Sequence, residues 1–117
     1  MTNVVIYHNP RCSKSRQTLA LLQERGIEPE QVLYLETPPA PAELRRLLKR
    51  LNMPARDLLR KGETEYKALN LMDNALSETQ LIDVMSEHPR LIERPIVVCG
   101  DKAVIGRPPE KVLELIP

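Results

Sequence analysis

Cys12 stands in the run His8-Asn9-Pro10-Arg11-Cys12-Ser13-Lys14-Ser15-Arg16, among hydroxyl and basic side chains and not among apolar ones. A structural cysteine is ordinarily buried with apolar neighbours. A thiol at the start of a helix faces unpaired backbone N–H groups and the positive end of the helix dipole, and both favour its thiolate. Arg11, Lys14 and Arg16 add positive charge around it. This is the setting for a reactive sulfur that also attracts an oxyanion. Ser15 occupies the position where a Cys-x-x-Cys pair would carry its second thiol, which disfavours disulfide exchange within the motif.

The elements that must hold this sulfur follow from the pattern around it. Val4 to Tyr7 is an apolar run suited to a strand buried on both faces. Leu19 to Leu22 predict a helix from about Ser13 to Arg25, stopped by Gly26, and Val32-Leu33-Tyr34-Leu35 predicts a second strand. Strand, helix, strand in this order is a βαβ unit with parallel strands and a right-handed crossover. After the proline-rich loop Glu36–Pro41, Leu44, Leu47, Leu48 and Leu51 have helical spacing, with a solvated Arg/Lys face between them. Arg56 to Leu59 predicts a short helix. Ser77-Glu78-Thr79-Gln80 is a capping box opening another that carries Leu81, Ile82, Val84 and Met85, and His88-Pro89 ends it. Pro108-Pro109 starts a final helix with Val112, Leu113 and Ile116. The expected architecture is α/β: a thioredoxin-like four-stranded mixed sheet with flanking helices. A helical insert, about residues 41–88, separates the βαβ and ββα halves, and residues 1–117 are expected to form a single domain.

The hairpin adds a second chemical group. Ile96–Cys99 and Lys102–Ile105 flank Gly100-Asp101, a two-residue loop with glycine first, as a type II′ turn requires. Such a loop fixes the register: Cys99 faces Lys102, and Ile96 faces Ile105. Continuing outward, Pro95 lies opposite Gly106 and Arg94 opposite Arg107. Like charges across a ladder are destabilising, so an anion between the two arginines is one reading, and strands that splay into water are the other. Cys99 sits about four residues, or roughly 13 Å, along the strand from Pro95. If Pro95 is near Cys12, Cys99 is beyond the roughly 7 Å between Cα atoms that a disulfide requires.

The bulk properties narrow the partners. At 117 residues with a formal net charge of +1, the chain lacks the broad basic footprint of a nucleic-acid binder. With no Trp, no Phe and three Tyr it also lacks stacking platforms. No apolar run reaches the length of a membrane span, and the start of the chain lacks the order of a signal peptide. Two cysteines without an export signal point to the reducing cytoplasm. No nucleic acid, membrane or metal is expected as a partner.

The motifs Tyr7-His8-Asn9-Pro10-x-Cys12-x-x-Ser15-Arg16, Leu33-Tyr34-Leu35-Glu36-x-Pro38-Pro39, Leu59-Arg60-Lys61, Gln80-Leu81-Ile82-Asp83, Arg94-Pro95-Ile96-Val97-Val98 and Arg107-Pro108 span the chain. Through them it resembles the glutaredoxin-coupled arsenate reductases of bacteria, and more closely their short homologues. The resemblance implies that Cys12 attacks arsenate and that Arg60, Arg94 and Arg107 bind the oxyanion and its thiol-bound intermediates. It implies that His8 and Ser15 help hold Cys12 as thiolate, by charge or hydrogen bond, and that Pro95 is the family's cis-proline beside the site. Glutathione would be the co-substrate that attacks the Cys12 adduct, glutaredoxin would remove the glutathione, and no cofactor would be bound.

This sequence departs from the better-known reductases in three places. Ser13-Lys14 replaces a small Gly-Thr pair, Gly106 stands where some members carry a second cysteine, and the chain ends without their further tail. Two other functions share the fold. One is a glutathione-linked thiol oxidoreductase acting through Cys12. The other is a non-enzymatic adaptor like the Spx-type proteins, which typically carry a Cys-x-x-Cys switch that Ser15 replaces here.

Overall fold

The computed structural model describes residues 3–116. They form two compact units, one from residues 3–37 and 94–116 and the other from Pro38–Glu93.

The first unit holds the sheet. Strand β1 (Val4–Tyr7) leads through the Cys12 loop into helix α1 (Ser13–Glu24), and β2 (Glu30–Val32) returns parallel to β1. The hairpin β3 (Ile96–Cys99) and β4 (Lys102–Ile105) completes a mixed sheet in the order β2-β1-β3-β4. A four-stranded mixed sheet is the expected thioredoxin-like architecture. The hairpin register is also as expected, with Cys99 opposite Lys102 and Ile96 opposite Ile105. Gly100 has φ +65°, which the glycine-first turn demands. β3 also pairs antiparallel with β1, matching Val4 to Cys99 and Tyr7 to Ile96.

Facing positions share a side of the sheet, so Ile6, Val97 and Val104 line one face. Ile6 and Val97 join Leu22 of α1 and Val112 in a core from which water is wholly excluded. Each such side chain contributes roughly 1.5–3 kcal/mol by leaving water. Tyr7, Ile96 and Val98 are buried on the other face, so β1 and β3 are covered on both sides.

Two elements of this unit differ from expectation. The second strand spans Glu30–Val32 and not Val32–Leu35. The Leu33 carbonyl accepts the N–H groups of Glu36 and Thr37, each at 2.9 Å, so the chain turns there and cannot extend the ladder. The final segment, Pro109–Glu114, is a 3₁₀ helix. Its i→i+3 bonds, Lys111 N–H to Pro108 O and Leu115 N–H to Val112 O, are both 3.0 Å, and the tighter winding still buries Val112.

The second unit is helical. α2 (Pro41–Leu51) buries Leu44, Leu47 and Leu48 and ends at Asn52 in the left-handed conformation. α3 (Ala55–Leu58) lies one residue earlier than expected, and α4 (Thr64–Ala68) has no counterpart in the sequence reading. α5 (Glu78–Glu87) opens on the expected capping box. Gln80 N–H donates to Ser77 Oγ at 3.1 Å, and Ser77 N–H donates to Gln80 Oε1 at 2.7 Å. No helix among the described residues is long and apolar enough to cross a membrane.

Candidate active site

Cys12 is the N-cap of α1, half-buried, with extended backbone (φ −92°, ψ 123°). Its N–H donates to Asn9 O at 3.0 Å, and its carbonyl accepts the Arg16 N–H at 3.0 Å, so the sulfur sits where the loop becomes helix. Burial alone pushes the thiol up. That is outweighed by the Ser15 main-chain N–H, by a hydrogen bond and the positive charge from Arg94, and by the Lys14 main-chain N–H. The thiol therefore titrates below its ordinary value of 9.0.

The hairpin delivers the arginines to the same sulfur. Arg107 Nη2 lies 3.8 Å from Cys12 Sγ, and Arg107 Nε donates to the Arg94 carbonyl at 2.8 Å. Arg94 and Arg107 thus converge on Cys12 instead of splaying into water. Pro95 is buried, and the Arg94–Pro95 bond is cis, as is Arg107–Pro108. Cys99 pairs with Val4, at the end of β1 away from Cys12, and both cysteines are free.

His8 and Ser15 are both buried, and they bind each other. His8 Nδ1 lies 2.6 Å from Ser15 Oγ, which also accepts the Asn9 N–H at 3.0 Å. Burial, and then the charge of Arg16, lower the His8 pKa from 6.5, so the ring is neutral at neutral pH. A neutral ring fits the Ser15 hydroxyl donating to Nδ1, with the ring proton on Nε2. The Ser15 side chain is engaged by His8 and Asn9, and what Ser15 gives the sulfur is its main-chain N–H. The His8–Ser15 contact ties the two ends of the loop that carries Cys12.

Further contacts hold that loop. Arg11 N–H donates to Asn9 Oδ1 at 3.0 Å, and Arg16 Nη1 donates to Pro10 O at 2.9 Å. Asn9 and Thr18 were not singled out from the sequence. Ser15, Thr18 and Leu22 share the buried face of α1, and two hydroxyls on an otherwise apolar stripe are a readable signal of local polar pairing.

Arg60 belongs to the helical unit. Its N–H donates to Leu91 O at 2.7 Å, in line with the bridge between Leu59 and Ile92. Its guanidinium lies 3.6 Å from Glu63 and 3.9 Å from Glu93, and Arg90 reaches Glu63 at 3.8 Å. These are charge contacts longer than hydrogen bonds, and the buried Nη1 has no hydrogen-bond partner among the described residues. Among the described residues no cluster of three or more His, Cys, Asp or Glu could hold a metal ion.

The profile described as the ArsC family matches residues 7–115. The uncharacterized protein YfgD of Escherichia coli K12 is 63% identical over 114 residues, covering 97% of this chain and 96% of its own length. An arsenate reductase of Haemophilus influenzae is 51% identical over 115 residues, covering 97% and 99%. A solved arsenate reductase from Vibrio cholerae superimposes with a TM-score of 0.96 at 55% identity, covering 98% of both chains. The convergence of Cys12, Arg94 and Arg107 thus lies within a match that spans nearly the whole sequence, and the chain belongs to the ArsC family.

Proposed function

We propose that the protein is an arsenate reductase that works through the Cys12 thiolate, with glutathione and glutaredoxin as reductants in the cytoplasm. The observation that carries the reading is the Cys12 sulfur at the N-terminus of α1, lowered in pKa and faced by Arg94 and Arg107. Arsenate is an oxyanion, and its family relatives in Haemophilus influenzae and Vibrio cholerae are named for reducing it.

The thiolate attacks arsenic, forming an S–As bond as one oxygen leaves as water. Arg94 and Arg107 neutralise the charge on the remaining oxygens, where hydrogen bonds to charged groups are worth about 1.5–3 kcal/mol each. Arg60 takes a third anion-binding role by its place in the Leu59-Arg60-Lys61 motif. His8 and Ser15 hold the loop that presents Cys12, and Pro95 backs the two arginines. Ser15 in place of a second thiol, and Cys99 at the far end of β1, leave the next sulfur to come from outside. Glutathione displaces a second oxygen as water and forms its own S–As bond. The glutaredoxin thiolate then attacks the glutathione sulfur, and the electron pair of that S–As bond reduces As(V) to As(III). Water cleaves the Cys12–As(III) bond. The sum is arsenate plus two thiols giving arsenite, one mixed disulfide and one water.

The test is arsenite production by purified protein with glutathione and glutaredoxin, wild type against Cys12→Ser. Turnover that vanishes in the variant is the expected result. Arsenite formed equally by both would refute the assignment.

A further inference from the structure

The motif Leu33-Tyr34-Leu35-Glu36 has no part in the anion chemistry, yet it shares a cavity with the loop that leads to Cys12. The cavity measures about 270 Å³ and is lined by Leu33, Leu35 and Glu36 together with the loop from His8 to Arg11. All of these residues belong to the unit that holds the sheet. Pro10, Leu33 and the exposed Leu35 make apolar walls, while Arg11 and Glu36 supply one charge of each sign. Among the described residues neither of those two side chains is held in an ion pair. An oxyanion here would be repelled by Glu36, and a wholly apolar ligand would cover both charges without pairing them. An amino-acid head satisfies both, because its ammonium and carboxylate stand on one carbon with methylenes behind them. Sites that enclose a whole drug-sized ligand run from roughly 300 to 1,000 Å³, so this cavity suits one end of a longer molecule. Cys12 follows Arg11 directly, with about 3.8 Å between their Cα atoms.

We propose that this cavity seats the γ-glutamyl head of glutathione. Glu36 receives its α-ammonium, Arg11 its α-carboxylate, and Leu33 and Leu35 lie against its methylenes. The cysteinyl limb leaves the cavity past Arg11 and carries its thiol to the arsenic held on Cys12. The inference rests on the reading that glutathione is the co-substrate. It gives the two substrates separate places, the oxyanion with Arg94 and Arg107 and the thiol's head with Arg11 and Glu36.

The test is an NMR titration of the full chain with S-methylglutathione, which cannot react, and with S-methylcysteinylglycine, which lacks the γ-glutamyl head. The main-chain amides of Arg11, Leu33, Leu35 and Glu36 are expected to shift with S-methylglutathione. Glu36→Gln should weaken its Kd about two- to fivefold, the range of a partly exposed charge pair, and the reversed charge in Glu36→Lys on the order of tenfold. The headless thioether should bind more weakly and with the same Kd in all three proteins. Shifts confined to other residues, an unchanged Kd in Glu36→Lys, or equal weakening of both thioethers overturns the proposal. So does a glutaredoxin that perturbs these amides where S-methylglutathione leaves them unmoved, since the cavity then belongs to a protein partner. Arsenite production with glutathione is measured beside the titration. Binding at the cavity without arsenite formation would refute the reductase reading and leave the glutathione seat standing.

Discussion

Cys12 is activated by groups of two kinds, main-chain N–H donors of α1 and the side chain of Arg94, and substitution can separate them. Arg94→Ala removes both a hydrogen bond and a charge, so the pH midpoint of iodoacetamide reaction should move up toward the ordinary 9.0. Ser15→Ala keeps the main-chain N–H that faces the sulfur, so its midpoint should move less than that of Arg94→Ala. A larger shift in Ser15→Ala would show that the hydroxyl and His8 matter electrostatically. The sign for His8 follows from its lowered pKa. The unfolded chain binds a proton near pH 6.5 that the folded chain resists, so the contribution of neutral His8 is present above that value. It is lost as pH falls through the lower folded pKa. Urea unfolding from pH 7.5 down to 5 should show stability falling, with a shallower fall in His8→Gln. Equal slopes would count against burial of the neutral ring.

At the scale of elements, the legible parts were those where a local rule leaves one outcome. The two-residue Gly100-Asp101 loop admits one register, and that register carried Arg94 and Arg107 to the same place. Ser77 and Gln80 cap α5 by their own chemistry, and Ser77→Ala should destabilise the protein by about 1 kcal/mol in denaturant unfolding. β2 was less legible because its apolar run serves two purposes. Tyr34 is fully buried, while Leu35 is 38% exposed and the Leu33 carbonyl is spent on a turn. The ladder falls instead on Glu30 and Gln31, whose exposed side chains suit the outer strand of a sheet. The ion-pair group of Arg60, Glu63, Arg90 and Glu93 was invisible because it joins short helices whose packing no periodicity encodes. Arg60→Ala should raise the arsenate KM on the order of 10- to 100-fold while leaving reaction of Cys12 with iodoacetamide unchanged. Equal loss in both assays would place Arg60 in folding and not in anion binding.

At the scale of the whole chain, the sheet is assembled from sequence ends, with Pro38–Glu93 intervening. β1 and β3 occupy the middle of the sheet and are covered on both faces, whereas β2 and β4 are outer strands. Hydrogen exchange should therefore be slowest in the sheet at Ile6 and Val97 and faster at Gln31 and Lys102. Comparable exchange at Gln31 would contradict the covering of the central pair. The pairing of β1 with β3 also has a consequence for the growing polypeptide. Cys12 leaves the ribosome before Arg94 and Arg107 do. Until the hairpin arrives, the nascent chain carries a cysteine without its arginines. The chemistry that needs both is withheld until the hairpin has been made.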